Sequence, residues 1–188
     1  MIITQEHREI YEGVKKFVIN ELNPHIPEWE KAGIWPAHEI CKRMGALGYL
    51  GINKSEAVGG LGLDYSYEVM FAQAMGNSIC GSLPMAIGVI TDMATPALER
   101  FGSKALKEEF LKPVVAGEMV CSIAVSEASA GSDVAGIKTT AIKDGDDYLI
   151  NGSKMWITNG TQADWACVLC NTSEGKVHQN KSLIIVPL

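Results

Sequence analysis

The sequence predicts an α+β protein in which an all-α domain, residues 1–118, precedes an antiparallel β-domain, residues 119–188. Before Gly117, apolar residues recur at helical spacing. After it come short runs typical of β-strands, separated by dipeptides that favour tight turns. Helices first and strands afterwards indicate two separate units rather than alternating β–α–β repeats. The net charge of −6 disfavours nucleic acid as a partner, because phosphate binding requires a basic face.

Helix signals divide the first half at proline, glycine and hydroxyl residues. Asn23-Pro24 is predicted to end the first helix, Thr95-Pro96 to cap and begin a later one, and Ser103 to cap the last. The run 85–93 is apolar nearly all round, which predicts a helix buried in a core. Predicted helices cover residues 10–22, 36–45, 65–75, 85–93 and 103–117, with a glycine-rich loop at 47–64.

Strand signals follow in the second half. Predicted strands cover residues 121–126, 136–143, 148–151, a run through Trp156, 163–170 and 182–186. Asp144-Gly145 and Asn151-Gly152 predict two-residue hairpin turns, because both central positions of such turns need a positive φ.

No metal site, signal peptide or membrane span is predicted. The five cysteines are odd in number and scattered, which favours a reducing compartment over a disulfide framework. Cys167 and Cys170 form a CxxC pair in a predicted strand, where residues three apart point to opposite faces. The histidines lack zinc-ligand spacing, the amino terminus is polar, and the most apolar stretch, 78–90, is too short for a bilayer.

Two segments of the second half carry residues suited to ligand binding. Residues 124–136, AVSEASAGSDVAG, combine hydroxyls and small residues, whose backbone can approach a ligand and bind anionic oxygens. Residues 154–160, KMWITNG, place Trp156 and Thr158 on one face of a predicted strand, which suits a flat heteroaromatic ligand with a polar edge. Taken singly, the first segment also fits a polar surface loop, and Trp156 fits a core aromatic residue.

Together, these segments resemble the acyl-CoA dehydrogenase family. AVSEASAGSDVAG satisfies the family signature throughout: a small residue, an aliphatic one, Ser or Thr, Glu, two variable residues, a small residue, Gly, Ser or Thr, and Asp. WITNG follows at the expected distance, VGGLGLDY resembles the Gly-Gly-x-Gly loop, and FGSKALKEEFLKPVVAGE resembles the helix that leads into the first strand. Ala128 stands where many relatives have proline, and Ser126 replaces a frequent threonine.

The resemblance implies that FAD binds along the β-domain, which would form part of a barrel. Val125 and Ser126 would line the flavin through backbone groups and the Ser126 hydroxyl. Trp156 would pack beside the ring, and Thr158 would hydrogen-bond its polar edge. Ser132 would also contact the pantetheine arm of a thioester. The cofactor residues implied in this way are Ile123, Val125, Ser126, Gly131, Ser132, Trp156, Ile157 and Thr158.

The implied activity is α,β-dehydrogenation of an acyl-CoA thioester to a trans-2-enoyl-CoA. Family members are longer, so we expect the chain to be cut off within the β-domain, to be inactive alone and to bind FAD weakly. No catalytic residue is assigned, because the base is expected in a missing C-terminal part; Glu127 is expected to have a structural role. An acyl-CoA oxidase-like or nitroalkane oxidase-like flavoenzyme, or a non-catalytic module derived from the fold, are the alternatives left open.

The resemblance also implies partners and a compartment. Acyl-CoA would be the substrate and electron-transfer flavoprotein the electron acceptor. The full-length chain would assemble as a dimer or a tetramer. The location would be the mitochondrial matrix in a eukaryote and the cytoplasm in a bacterium.

Overall fold

A computed structural model describes residues 3–188 and divides the chain into two compact units. The first unit ends at Val120, and the second spans Cys121–Leu188. Helices build the first unit and a five-stranded sheet the second, which confirms the predicted α+β class. The domain limits predicted from the sequence, 1–118 and 119–188, stay a prediction.

The helices of the first unit bury their apolar faces in a common core. They are α1 (Gln5–Phe17), α2 (Ile26–Ala32), α3 (Ala37–Ala46), α4 (Tyr65–Met75), α5 (Ser82–Gly88), α6 (Thr95–Phe101), α7 (Lys104–Leu106) and α8 (Lys112–Val115). Single π-helical turns cover Val18–Leu22, Val89–Ala94 and Lys107–Leu111, and 3-10 turns cover Asn23–His25 and Glu56–Val58. Fully buried core residues include Val14, Leu22, Ile40, Met44, Ile87, Ile90 and Leu111.

The amino ends of α1 and α4 are joined by hydrogen bonds through His7. The backbone N–H of Thr4 donates to Nδ1 of His7 over 3.2 Å, so Nε2 carries the proton of the neutral ring. Nε2 therefore donates to the Ser66 hydroxyl, 2.7 Å away. That hydroxyl donates in turn to Asp64, the residue that caps α4. These bonds satisfy helix-terminal groups that would otherwise lack partners.

Two predicted helix boundaries are correct only in part: the first helical run ends at Leu22 and α6 has Pro96 in its first turn, both as predicted. Pro24 lies in a 3-10 turn that leads directly into α2, because proline in a first turn removes no needed N–H donor. Thr95 does not cap α6; its hydroxyl donates to the carbonyls of Ile90 and Thr91, over 2.7 and 3.0 Å. Helical backbone therefore continues from α5 through the π-turn into α6.

Two helix predictions near the carboxyl end of this unit are correct only in part. Ser103 caps α7, since its hydroxyl accepts the backbone N–H of Leu106 over 3.2 Å. In this helical segment Leu106 is 37% exposed, whereas Leu111 is buried. Residues 85–93 are helical, but Met85 and Met93 are 57% and 49% exposed, so only one side of this segment is buried.

The second unit is an open sheet of mixed direction. Its strands are β1 (Cys121–Ala124), β2 (Thr140–Asp144), β3 (Asp147–Asn151), β4 (Trp165–Asn171) and β5 (Lys181–Pro187), with a 3-10 turn at Val134–Gly136. The pairs β2–β3 and β4–β5 are antiparallel as predicted, whereas β1–β4 and β2–β4 are parallel. Buried Ala124, Ala141, Ala166, Val168 and Cys170 form its core, covered by Ile150, Ile157, Ile184 and Val186.

One of the two predicted hairpin turns is present. Asp144 pairs with Asp147, so the turn is Gly145-Asp146, and only Gly145 has a positive φ, 61°. This is the pattern of a type II′ turn rather than one with two positive φ angles. The predicted turn at Asn151-Gly152 and the strand through Trp156 are wrong, because β3 ends at Asn151 and the next strand is β4.

Within residues 3–188, no helix combines the length and apolar character needed to cross a membrane.

Candidate functional site

Two loops of the second unit lie side by side. One follows β1 at residues 125–127, and the other, 152–160, lies in the connection between β3 and β4. The backbone N–H of Met155 donates to the carbonyl of Ser126 over 2.9 Å. Lys154 Nζ donates to the carbonyl of Val125 over 2.9 Å. The structure therefore brings together the two segments on which the family resemblance depends.

The Glu127 carboxylate binds three residues in two segments of the chain. Oε1 accepts the ammonium of Lys154 over 3.0 Å, and it accepts the backbone N–H and hydroxyl of Thr139 over 2.9 and 2.5 Å. Oε2 accepts the backbone N–H of Lys138 over 2.7 Å. Only 7% of the Glu127 side chain and 10% of the Lys154 side chain are exposed. The pair is thus a buried ion pair in which both carboxylate oxygens accept hydrogen bonds and the ammonium donates two.

These contacts keep Glu127 ionised. Desolvation on its own would raise the pKa of Glu127, but hydrogen bonds from Thr139, Lys138 and Lys154 outweigh it and lower the pKa to about 2. A carboxylate with so low a proton affinity, and with both oxygens occupied, is a poor general base at neutral pH. Its geometry fits the structural role expected from the sequence.

Gly152 lets the second loop pass close to Thr139. A Cβ atom at residue 152 would lie 2.3 Å from Oγ1 and 2.7 Å from Cα of Thr139. Any larger residue would therefore displace Thr139, which donates two hydrogen bonds to Glu127. Gly152 marks a close backbone approach rather than the hairpin turn predicted from the sequence.

The backbone of the second loop is left-handed at two residues that are not glycine. Trp156 has a φ of 62° and Asn159 a φ of 67°. The predicted extended geometry, with Trp156 and Thr158 on one face of a strand, is therefore wrong. Such a conformation costs about 1–3 kcal/mol and persists where surrounding contacts fix it. Here the Asn159 amide donates to the carbonyl of Cys121 over 3.3 Å, and the neighbouring bonds of Lys154 and Met155 hold the other end.

The predicted cofactor residues fall into two groups. Ile123, Val125 and Ser126 lie in and after β1, beside the loop that carries Trp156, Ile157 and Thr158. Trp156 is 86% exposed, whereas Ile157 packs against the sheet core. Gly131 and Ser132 are exposed and follow a turn closed by bonds between Glu127 and Ala130. Within residues 3–188, no hydrogen bond joins those two residues to the first group.

Several groups in this site have no partner among residues 3–188. Over the described part of the chain, the hydroxyls of Ser126, Ser132 and Thr158 and the indole N–H of Trp156 make no hydrogen bond. Ser126 and Thr158 are half-buried, and a Cβ at Gly131 would meet nothing within 4 Å. The site thus offers hydroxyl groups and an exposed aromatic face in two connected loops.

Lys154, Thr139 and Asn159 are site residues to which the sequence analysis gives no role. A single lysine two residues before a tryptophan carries no signal of burial, because lysine is usually exposed. Its carboxylate partner is 27 residues away in the sequence. The pairing is therefore visible only once the loops are placed.

No metal centre is assembled by residues 3–188, where no group of three or more His, Cys, Asp or Glu side chains could hold an ion. The thiols of Cys167 and Cys170 are free and buried in β4. Burial raises the pKa of Cys167 to about 11, so its thiol is protonated and unreactive near neutral pH.

Comparison with known proteins identifies the family. The acyl-CoA dehydrogenase N-terminal domain matches residues 4–118, and the acyl-CoA dehydrogenase middle domain matches residues 122–188. The chain belongs to the acyl-CoA dehydrogenase family. It is 36% identical over 173 residues to the mitochondrial long-chain specific acyl-CoA dehydrogenase of Sus scrofa, covering 92% of this chain and 39% of that protein.

Solved acyl-CoA dehydrogenase structures have the same fold. The acyl-CoA dehydrogenase of Geobacillus kaustophilus superposes with a TM-score of 0.91 at 37% identity, over 98% of this chain and 48% of that one. Glutaryl-CoA dehydrogenase from Mycobacterium smegmatis, solved in complex with FADH2, superposes with a TM-score of 0.88 at 30% identity, over 98% and 46%. The chain thus spans less than half the length of these acyl-CoA dehydrogenases.

Proposed function

We propose that this chain supplies the flavin-ring site of an FAD-dependent acyl-CoA dehydrogenase. The complete protein would oxidise an acyl-CoA thioester to a trans-2-enoyl-CoA. The observation that carries the proposal is the pair of bonded loops, 125–127 and 152–160, with the unengaged hydroxyls of Ser126 and Thr158 beside the exposed indole of Trp156. Family membership supplies the cofactor's identity, since a relative of the same fold is solved with FADH2.

The residues present fit a flavin ring. An isoalloxazine has two flat faces and an edge rich in nitrogen and oxygen acceptors, so it needs an aromatic or apolar surface next to hydrogen-bond donors. Trp156 supplies the surface, and the hydroxyls of Ser126 and Thr158 supply donors. The small residue Gly131 leaves room for a ligand to approach the backbone.

Each predicted site residue has a proposed role. Ile123 and Val125 line the flavin through backbone groups, and Ser126 adds its hydroxyl. Thr158 hydrogen-bonds the polar edge of the ring, while Ile157 anchors the loop in the sheet core. Gly131 and Ser132 contact the cofactor, and Ser132 also contacts the pantetheine arm of the thioester. When bound, the flavin accepts the hydride that leaves the β-carbon.

The α-proton requires a base, and the described carboxylates do not provide one. Glu127 is excluded by its low pKa and its occupied oxygens. Burial raises the pKa of Glu68 to about 7, which suits a general base, but this side chain is only 2% exposed inside the helical unit. We therefore propose that the base lies outside the part of the relatives' length that this chain covers.

The partners follow from the same proposal. Acyl-CoA is the substrate, electron-transfer flavoprotein reoxidises the flavin, and the complete protein forms a dimer or a tetramer. We also propose that the 188-residue chain alone binds FAD weakly and turns over no acyl-CoA.

A flavin assay tests the function. The complete natural protein is purified, its absorption spectrum is recorded, and a panel of acyl-CoA thioesters is added under anaerobic conditions. We expect bound flavin, and bleaching of its visible band by at least one thioester. A protein without flavin, or a flavin that no thioester reduces, overturns the proposal. Rapid reoxidation by air with formation of hydrogen peroxide would favour the oxidase alternative instead.

A further inference from the structure

The buried pair Glu127–Lys154 connects three segments around the proposed flavin site. Through Thr139 and Lys138 it holds the start of β2, and through the Val125 carbonyl it holds the loop after β1. Lys154 itself belongs to the loop that carries Trp156. Both oxygens of Glu127 and two of the three N–H donors of Lys154 are engaged with the protein, which favours a structural role over direct contact with a cofactor.

The pair fixes the point at which the second loop changes direction. Lys154 precedes Met155, whose N–H binds the Ser126 carbonyl, and Trp156 then adopts its left-handed conformation. The far end of the loop is held separately, by the Asn159 amide on Cys121 and by Ile157 in the sheet core. Loss of the ion pair therefore releases the near end, which sets the distance between Ser126 and Trp156.

The pairing of three of the five strands does not involve this ion pair. Strands β1, β4 and β5 pair through residues 121–124, 165–171 and 181–187, and neither Glu127 nor Lys154 is among the residues of the apolar core cluster. A variant without the ion pair can thus retain the sheet and still misplace the loop.

We propose that Glu127 and Lys154 are positioning residues, which hold Ser126, Trp156 and Thr158 in register with the flavin ring. This inference rests on the proposed function. The pair acts through the loop backbone: the Lys154 ammonium fixes the Val125 carbonyl and the Glu127 carboxylate at once. Because the pair is buried and charged, its geometry tolerates little displacement.

The test uses the complete protein loaded with FAD. The variants are Lys154→Met, Lys154→Arg and Glu127→Gln, and the matched control is Lys112→Met, which removes an exposed ion pair of 3.2 Å with Glu108 in the helical unit. Far-UV circular dichroism reports folding. The FAD dissociation constant, the flavin absorption bands and the flavin reduction potential report the position of the ring.

We expect Lys154→Met and Glu127→Gln to weaken FAD binding at least tenfold and to shift both the absorption bands and the reduction potential. Lys154→Arg should restore part of the affinity, because it keeps a cation next to the carboxylate. The FAD dissociation constant of Lys112→Met should stay within twofold of that of the wild type. If Lys154→Met does not fold, the neutral double variant Glu127→Gln/Lys154→Met replaces it in the same measurements.

Three outcomes are distinguishable. Wild-type protein without flavin overturns the proposed function and this inference with it. Wild-type protein with flavin, but folded variants whose affinity, spectrum and potential equal those of the control, overturns the inference alone. A folded variant with weakened affinity and unchanged spectrum and potential also overturns it, because a misplaced ring must change its own electronic environment.

Discussion

The backbone N–H of Met155 donates to the backbone carbonyl of Ser126 over 2.9 Å. This bond joins the two sequence segments that identify the acyl-CoA dehydrogenase family. It also places the turn at Trp156 immediately beside the end of β1, so the exposed indole and the Ser126 hydroxyl belong to neighbouring backbones. The geometry of the proposed flavin site thus depends on a contact between main-chain atoms. A side-chain substitution in the loops can disturb this contact only indirectly.

The left-handed backbone at Trp156 predicts an unusual order of stability among its variants. We expect Trp156→Gly to have a free energy of unfolding about 1 kcal/mol higher than Trp156→Ala, because glycine adopts a positive φ without the steric cost. The lost indole should matter little, since it is 86% exposed. Urea denaturation measures both variants. Ile142 in β2, which is 61% exposed, is the control position. There the order should be reversed, with Ile142→Gly less stable than Ile142→Ala.

The buried Glu68 predicts a loss of stability as pH rises. Desolvation first, and then the charge of Asp92, raises the pKa of Glu68 to about 7, while Lys54 opposes the shift. The folded state therefore holds this proton more tightly than the unfolded state, whose pKa is near 4.5. The protonated Glu68 side chain therefore adds to the free energy of unfolding. This addition is fully present below pH 4.5 and is lost as pH rises through about 7, and its full size is about 3 kcal/mol.

Glu68→Gln should remove this pH dependence. At pH 5 the variant should resemble the wild type, because Glu68 is then protonated in the folded state. At pH 8 it should be more stable by about 2–3 kcal/mol. Denaturant titrations at each pH provide the measurement, with Glu109→Gln at an exposed position as control. A wild-type curve parallel to that of Glu68→Gln between pH 5 and 8 would contradict the prediction.

Glu127 predicts the opposite pH dependence. Its folded-state pKa is lowered to about 2 from an ordinary value of 4.5, so the carboxylate stabilises the folded state at neutral pH. That stabilisation is present above 4.5 and disappears as pH falls towards 2. Glu127→Gln should thus cost about 3 kcal/mol at pH 7, and the difference from the wild type should shrink steadily in acid. A constant difference at all pH values would show that the cost is one of packing rather than charge.

The link between α1 and α4 predicts a local effect at Ser66. Ser66→Ala leaves the Nε2–H of buried His7 without its acceptor at 2.7 Å. We expect a loss of about 1–3 kcal/mol in the free energy of unfolding, the usual cost of a buried unpaired donor. Ser55→Ala is the matched control, since Ser55 precedes a short 3-10 turn without capping it. Equal losses in the two variants would contradict the proposed role of the His7 bond.

The elements that the sequence predicts correctly are those whose signals are local. Helix α4 has the predicted bounds, and the Ser103 cap forms, because helical spacing and capping depend on residues within one or two turns. Pro24 misleads for an equally local reason: proline ends a helix in its interior, yet it is tolerated in a first turn, and the sequence does not distinguish the two positions. Pro96, by contrast, lies in the first turn of α6 as predicted.

The prediction for the loop that carries Trp156 is wrong because residues far away in the sequence fix the shape of this loop. An aromatic residue and a β-branched residue two positions apart fit a strand, and nothing in KMWITNG signals a left-handed turn. The turn is held by Glu127 and Cys121, which lie 27 residues from Lys154 and 38 residues from Asn159 in the sequence. The candidate site residues are therefore proposed from the motif and stay a prediction, whereas their arrangement could not be predicted from it.

Two glycines of the site predict contrasting consequences of adding one methyl group. Gly152→Ala would place its Cβ 2.3 Å from the Thr139 hydroxyl, so Thr139 must move and its two hydrogen bonds to Glu127 must lengthen. We expect a loss of about 1–3 kcal/mol in the free energy of unfolding, typical of overpacking. Gly131→Ala meets nothing within 4 Å and should leave the free energy of unfolding unchanged within error.

The affinity for FAD should distinguish Gly131→Ala from Gly152→Ala in a different way. If FAD approaches the backbone at Gly131 as proposed, the added methyl group should weaken FAD binding by Gly131→Ala several-fold, although its stability is unchanged. Denaturant titration and FAD titration of each variant of the complete protein provide the two measurements. Unchanged FAD affinity in Gly131→Ala would remove Gly131 from the proposed site, whereas unchanged stability in Gly152→Ala would mean that Thr139 does not hold the loop in place.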